Sequence, residues 1–99
     1  MLDSLEEIAK ALKAARIKKG LSQRALSQKV GIPQSHISKI EQSLVDLQVS
    51  SLIQIARTLE LELMLVSRTN ITAVQAIEKY ADLSESIPAY RLGEEDGDT

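Results

Sequence analysis

The stretch that decides the fold is Arg16 to Glu41, R-I-K-K-G-L-S-Q-R-A-L-S-Q-K-V-G-I-P-Q-S-H-I-S-K-I-E. Gly20 suits a helix stop that needs a left-handed residue. Ser22 then caps a new helix, with Leu26 and Val30 at i, i+4 spacing on one face. Gly31 ends that helix after little more than two turns. Pro33 restarts the chain, because its fixed φ and missing N–H suit a first helical turn. Ile37 and Ile40 form the inward stripe of the next helix. Two helices joined by so short a turn must cross steeply, and Ser27, small and on the inner side of the first, permits close approach beneath Ile37. The outer side of the second helix is left as Gln34, Ser35, His36, Ser38 and Lys39, all able to hydrogen-bond.

The flanking sequence extends this pair into a small helical domain. Leu5, Ile8, Leu12 and Ala15 recur at helical spacing, with Asp3, Glu6 and Glu7 near the positive end of the helix dipole and Lys18 and Lys19 near its negative end. Leu44 and Leu47 are expected to plug the core from a loop. A fourth helix is predicted to start at Ser50 or nearby Gln48, with Leu52, Ile55, Ala56 and Leu59 inward. In Leu61 to Val66 (L-E-L-M-L-V), Leu61, Leu63 and Leu65 alternate with Glu62, Met64 and Val66, which reads as a strand. The alternative is continuation of the fourth helix, since leucine, glutamate and methionine are good helix formers. A lone strand must find a partner, and its own copy across a two-fold axis is the simplest one. Leu61, Leu63, Met64, Leu65 and Val66 are therefore the expected dimerisation residues. Asn70 or Thr72 caps a last helix striped by Ile71, Val74, Ile77 and Ala81. From Ser84 the composition turns to Ser, Pro, Gly and acids, and disorder is expected.

Composition removes several function classes. The chain has 99 residues, 43% of them hydrophobic, with no cysteine, tryptophan or phenylalanine, two tyrosines and one histidine. This length fits one small domain whose core gains from a partner subunit. Disulfides and thiolate sites are excluded, one histidine makes no metal cluster, and stacking of bases on aromatic platforms has little support. No apolar run approaches the roughly 18 residues that span a bilayer, and the start M-L-D-S-L-E-E lacks the basic region of a signal peptide, so a cytoplasmic location is expected. Glu6 with Glu7, and the acids of the tail, are the clustered carboxylates, and neither set has a histidine or nucleophile beside it. No enzymatic activity, metal or cofactor is expected.

The net charge of −2 is strongly segregated. Lys10, Lys13, Arg16, Lys18, Lys19, Arg24, Lys29 and Lys39 fall between residues 8 and 40 with no acid among them. Asp82, Glu85, Glu94, Glu95, Asp96 and Asp98 crowd the C-terminal twenty residues against Arg91. A basic face carried by the helix pair is the electrostatic footprint of phosphate contact.

The segment Gln23 to Glu41, Q-R-A-L-S-Q-K-V-G-I-P-Q-S-H-I-S-K-I-E, resembles the lambda-repressor-like helix-turn-helix family, also called the Xre family, over roughly residues 5 to 60. It departs from the family at Ser27, where most members carry alanine, and at Pro33, where a serine or threonine cap is usual. The resemblance implies a mainly α fold with a four-helix helix-turn-helix domain at 1–60, to which the residue pattern adds a dimerisation strand and final helix at 61–83 and an acidic tail at 84–99. It implies binding of double-stranded operator DNA by a homodimer.

Base contacts are expected from Gln34, Ser35, Ser38 and Lys39 in the major groove. The resemblance places phosphate contacts at Gln23 and Gln42, with Lys19, Arg24, Lys29 and His36 as further candidates. Arg16 and Glu41 match a pair that ties the first helix to the end of the reading helix in family members.

The run Ser51 to Arg68, S-L-I-Q-I-A-R-T-L-E-L-E-L-M-L-V-S-R, followed by A-V-Q-A-I at Ala73 to Ile77, is similar to HipB-type antitoxins. That resemblance implies an autoregulating repressor of a type II toxin-antitoxin operon whose partner is a HipA-type serine/threonine kinase toxin. The alternatives are a stand-alone or phage-type Xre repressor without a toxin, and a protein-interaction module whose basic face is incidental.

Overall fold

A computed structural model describes residues 2–85, and the chain divides into two units, Met1–Leu63 and Met64–Thr99. In the first unit, four helices run α1 (Leu2–Lys18), α2 (Gln23–Val30), α3 (Gln34–Glu41) and α4 (Val49–Thr58). α2 packs against α3 and α4, and α1 packs against α3. Leu12, Leu26, Val30, Ile37, Ile40, Leu52, Ile55, Ala56 and Leu59 form the buried core, with Leu26, Ile37 and Ile55 each 1% exposed. Every inward position read from the helical spacing of α2, α3 and α4 lies in this cluster. In α1 the stripe is led by Leu12 and Ala9, with Ile8 and Ala15 half-buried beside them.

The helix ends show how local sequence shapes the domain. Ser22 Oγ accepts the Ala25 N–H at 2.9 Å and caps α2. At the end of α1, Gly20 (φ 73°) closes a Schellman turn in which its N–H meets the Ile17 carbonyl and the Leu21 N–H meets the Arg16 carbonyl. α2 ends on Gly31 (φ 74°), whose N–H bonds back to the Ser27 carbonyl. α3 and α4 stop by the same Schellman geometry without glycine. Ser43 (φ 61°) follows α3 and Glu60 (φ 63°) follows α4, each in the left-handed region. Their partners are Ser43 N–H to Ile40 O with Leu44 N–H to Lys39 O, and Glu60 N–H to Arg57 O with Leu61 N–H to Ala56 O. Glu60 therefore stops the fourth helix, so the alternative in which that helix runs on through Val66 does not hold.

The expected strand does not form within a single copy. Residues 61–67 are outside any helix, no strand occurs among the described residues, and 62–66 make no backbone hydrogen bond there. A ladder needs a second row of N–H and C=O groups, and one chain supplies none. α4 starts at Val49 with Gln48 in the capping position, and neither Gln48 nor Ser50 supplies a side-chain cap bond. In the loop before it, Val45 and Leu47 pack on the core, while Leu44, expected to do so, is 65% exposed because it follows the left-handed Ser43 outward.

In the second unit a 3-10 turn, Arg68–Asn70, leads directly into α5 (Ile71–Glu85), which places Asn70 immediately before the helix and Thr72 inside its first turn. The apolar positions Ile71, Val74 and Ile77 of α5 are exposed, as is Tyr80. The expected tail lies, from residue 86 on, outside the described residues.

Candidate nucleic-acid interface

The site is built on α3, because the burial of Ile37 and Ile40 fixes which side of this eight-residue helix faces away from the core. At 3.6 residues per turn, Ser35 lies opposite those isoleucines, with Ser38 and Lys39 one turn on and Gln34 at the leading edge. Gln34, Ser35, His36 and Lys39 are exposed and Ser38 is half-buried. His36 sits on the flank, nearer the core side. Pro33 occupies the capping position with no side-chain cap bond; its carbonyl accepts from His36 and Ile37. Ser27 does more than keep its volume small, since its hydroxyl donates to the Ile32 carbonyl and ties the turn between α2 and α3.

One ion pair locks this helix in place. Arg16 Nε donates to Glu41 Oε2 at 2.7 Å and Arg16 Nη2 to Glu41 Oε1 at 3.1 Å. The remaining Nη1 donates to the Leu21 carbonyl at 2.8 Å. The Glu41 side chain is 4% exposed, and its Oε1 also accepts from Gln23 Nε2 at 3.1 Å. Arg16 and Glu41 are thus brought together as the expected salt bridge. Gln23, expected as a phosphate contact, spends one amide hydrogen on this network and keeps the second. Gln54 adds a further tie that the sequence reading missed, donating from Nε2 to the Val30 carbonyl at 2.9 Å. No pattern in the sequence marks an amide that reaches another helix's last carbonyl.

The basic face is smaller than its residue count suggests. Arg16 is neutralised by Glu41, and Lys19 Nζ lies 2.7 Å from Glu60 Oε2. The Lys19 hydrogen bond, with its charge, holds the Glu60 carboxyl below the usual glutamate range. Arg57 pairs with Glu62 at 3.1 Å. Among the described residues Lys10, Lys13, Arg24, Lys29 and Lys39 form no ion pair, and all five are exposed. Gln42, also expected at phosphate, donates from Nε2 to the Ser38 hydroxyl at 2.8 Å and the Ser38 carbonyl at 3.2 Å.

Other chemistries find no site among the described residues. No group of three or more His, Asp or Glu is placed to hold a metal ion, and no helix is long and apolar enough to cross a membrane. The open groove between α1 and the α3–α4 loop is lined by Leu5, Ile8, Leu44 and Val45 together with Ser4, Ser43 and Asp46, a set with no histidine or second carboxylate.

Residues 12–66 match the helix-turn-helix family. The chain is also similar to an uncharacterized HTH-type transcriptional regulator of Sinorhizobium fredii, with 38% identity over 82 residues. That alignment covers 83% of this chain and 42% of the relative, so the chain spans less than half the relative's length. No solved structure matches. The matched region contains α2, α3, α4 and the end of α1, the elements that carry the Arg16–Glu41 lock and the exposed polar face. The chain belongs to the helix-turn-helix family.

Proposed function

We propose that this chain is a sequence-specific transcriptional repressor that binds double-stranded operator DNA. The observation that carries the reading is the buried anchoring of α3 by Ile37, Ile40 and the Arg16–Glu41 pair, which leaves Gln34, Ser35, Ser38 and Lys39 on an outward face. These four contact base edges in the major groove; Gln34, a bidentate amide, suits adenine. Arg24 and Lys29, with His36, Gln23 and Lys19, contact phosphates and set register. Lys19 must leave Glu60 to do so.

The repressor acts as a homodimer. Support comes from the unpaired backbone of 62–66, from the exposure of Leu61, Leu63, Met64, Leu65 and Val66, and from the apolar face of α5. Two copies joined there place their α3 helices about 34 Å apart on a palindromic site. The finer reading, an antitoxin that represses its own operon and binds a HipA-type kinase toxin, is supported by the Ser51–Arg68 and Ala73–Ile77 resemblance. A stand-alone repressor is the second reading, favoured by the relative described only as a transcriptional regulator.

The test is co-purification with the product of the adjacent gene, then titration of the chain alone and of any complex onto the chain's own promoter duplex. A stable neighbour with both forms binding supports the antitoxin. Binding by the chain alone, with no neighbour retained, selects the stand-alone repressor. No duplex binding by either form sinks both readings and favours a protein-interaction module.

A further inference from the structure

Gln42, the exposed residue that caps the C-terminal end of α3, lies one turn beyond Ser38, and the hydrogen bonds between them fix the polarity of both. The Ser38 carbonyl can only accept, so the Gln42 amide nitrogen must face Ser38, at 3.2 Å from that carbonyl and 2.8 Å from the hydroxyl. Two consequences follow from this geometry. Ser38 Oγ already accepts from Gln42, and its own hydrogen has no partner among the described residues. Gln42 Oε1, turned away from Ser38, likewise accepts nothing there.

We infer that Ser38 and Gln42 form a single donor–acceptor couple that reads one adenine in the major groove, the hydroxyl donating to N7 and the amide oxygen accepting from the N6 amino group. This rests on the duplex-binding reading and gives Gln42 a base-facing role in place of a phosphate contact. Adenine alone presents an acceptor beside a donor on its major-groove edge. Guanine presents two acceptors, so Gln42 Oε1 would face O6 without a hydrogen between them. Cytosine offers a donor alone, and thymine an acceptor beside a methyl group. The couple needs no rearrangement of either side chain before contact. That lowers the ordering cost of the contact compared with a free glutamine.

The experiment is selection from a random duplex pool by the full chain and by Ser38→Ala, Gln42→Met and the double variant, with affinity for an unrelated duplex measured at two salt concentrations. The couple predicts adenine at one position of the wild-type site, preferred over guanine by about tenfold or more. Both single variants lose that preference at that position only, and the double variant loses no more than either. Losses at two different positions overturn the couple. So does a Gln42→Met variant weakened equally on all sequences with a shallower salt slope, which marks a phosphate contact. Salt-dependent binding with no adenine preference removes the couple while leaving duplex binding intact, and absence of any binding removes both.

Discussion

Arg16 on α1 holds Glu41 at the end of α3 in a two-pronged ion pair, 2.7 and 3.1 Å, with both side chains largely withdrawn from water. The pair joins residues 25 apart in sequence and sets the angle at which the outward face of α3 is presented. Its energetic sign depends on which partner is removed. A buried charge left alone costs more than the intact pair contributes, because the survivor keeps its desolvation penalty without its counter-ion.

Glu41→Gln is therefore expected to destabilise the domain by about 3 kcal/mol, and Arg16→Met by a similar amount. The double variant Arg16→Met with Glu41→Leu is expected to recover much of that loss, since neither charge is then stranded. Urea unfolding of the four proteins checks this, and a Glu41→Gln variant as stable as the parent would show that the pair is not buried in solution.

Ser43 occupies the left-handed position of the turn that ends α3, where a Cβ is unfavourable. Ser43→Gly is expected to raise stability by about 0.5 kcal/mol, the relief of backbone strain outweighing the extra freedom of glycine in the unfolded chain. A lower urea midpoint for the variant would contradict the assignment of φ at this residue.

Lys19 and Glu60 give a pH dependence of defined sign. Because Lys19 lowers the Glu60 carboxyl in the folded state, the pair's contribution is fully present above the unfolded glutamate value of about 4.3 and is lost as pH falls through the lower folded value. The stability difference between parent and Glu60→Gln is expected to be present at pH 7 and to vanish at strongly acidic pH and in high salt. At neutral pH the same variant frees Lys19 and is expected to bind duplex DNA more tightly at low salt. Unchanged affinity would remove Lys19 from the phosphate contacts.

The apolar segment after Glu60 predicts self-association. Leu65, 99% exposed in one copy, has no reason to be leucine on a solvated surface. Sedimentation is expected to show a dimer for the parent chain and a monomer for Leu63→Lys with Leu65→Lys. A dimer that survives both lysines would place the interface elsewhere.

The helix pair was legible because its signals are local: Ser22 and Gly31 mark the ends of α2, and the i, i+3 and i, i+4 spacings of Leu26, Val30, Ile37 and Ile40 mark the burial. Gly20 announced its turn for the same reason. The ends of α3 and α4 were hidden because Ser43 and Glu60 adopt a glycine conformation without being glycine, so nothing at those positions signals a stop. That is why Leu44 reads as a core residue and why the sequence alone leaves a continuing fourth helix as an alternative. In the site, the exposed face of α3 followed from its periodicity. The engagement of Lys19 by Glu60, of Gln23 by Glu41 and of Gln42 by Ser38 depended on side-chain reach, two of them between elements distant in sequence. Counting cations along the chain overstates the basic face, since Arg16 and Lys19 are already paired.

The central claim, that α3 and its basic surroundings form a surface for duplex DNA, is tested most directly by the salt dependence of binding to the chain's own promoter duplex, for the parent and for Arg24→Ala. Counterion release predicts a linear fall of log affinity with log salt, and a slope smaller by about one for the variant. An affinity that does not change with salt, or no binding at low salt, would contradict it.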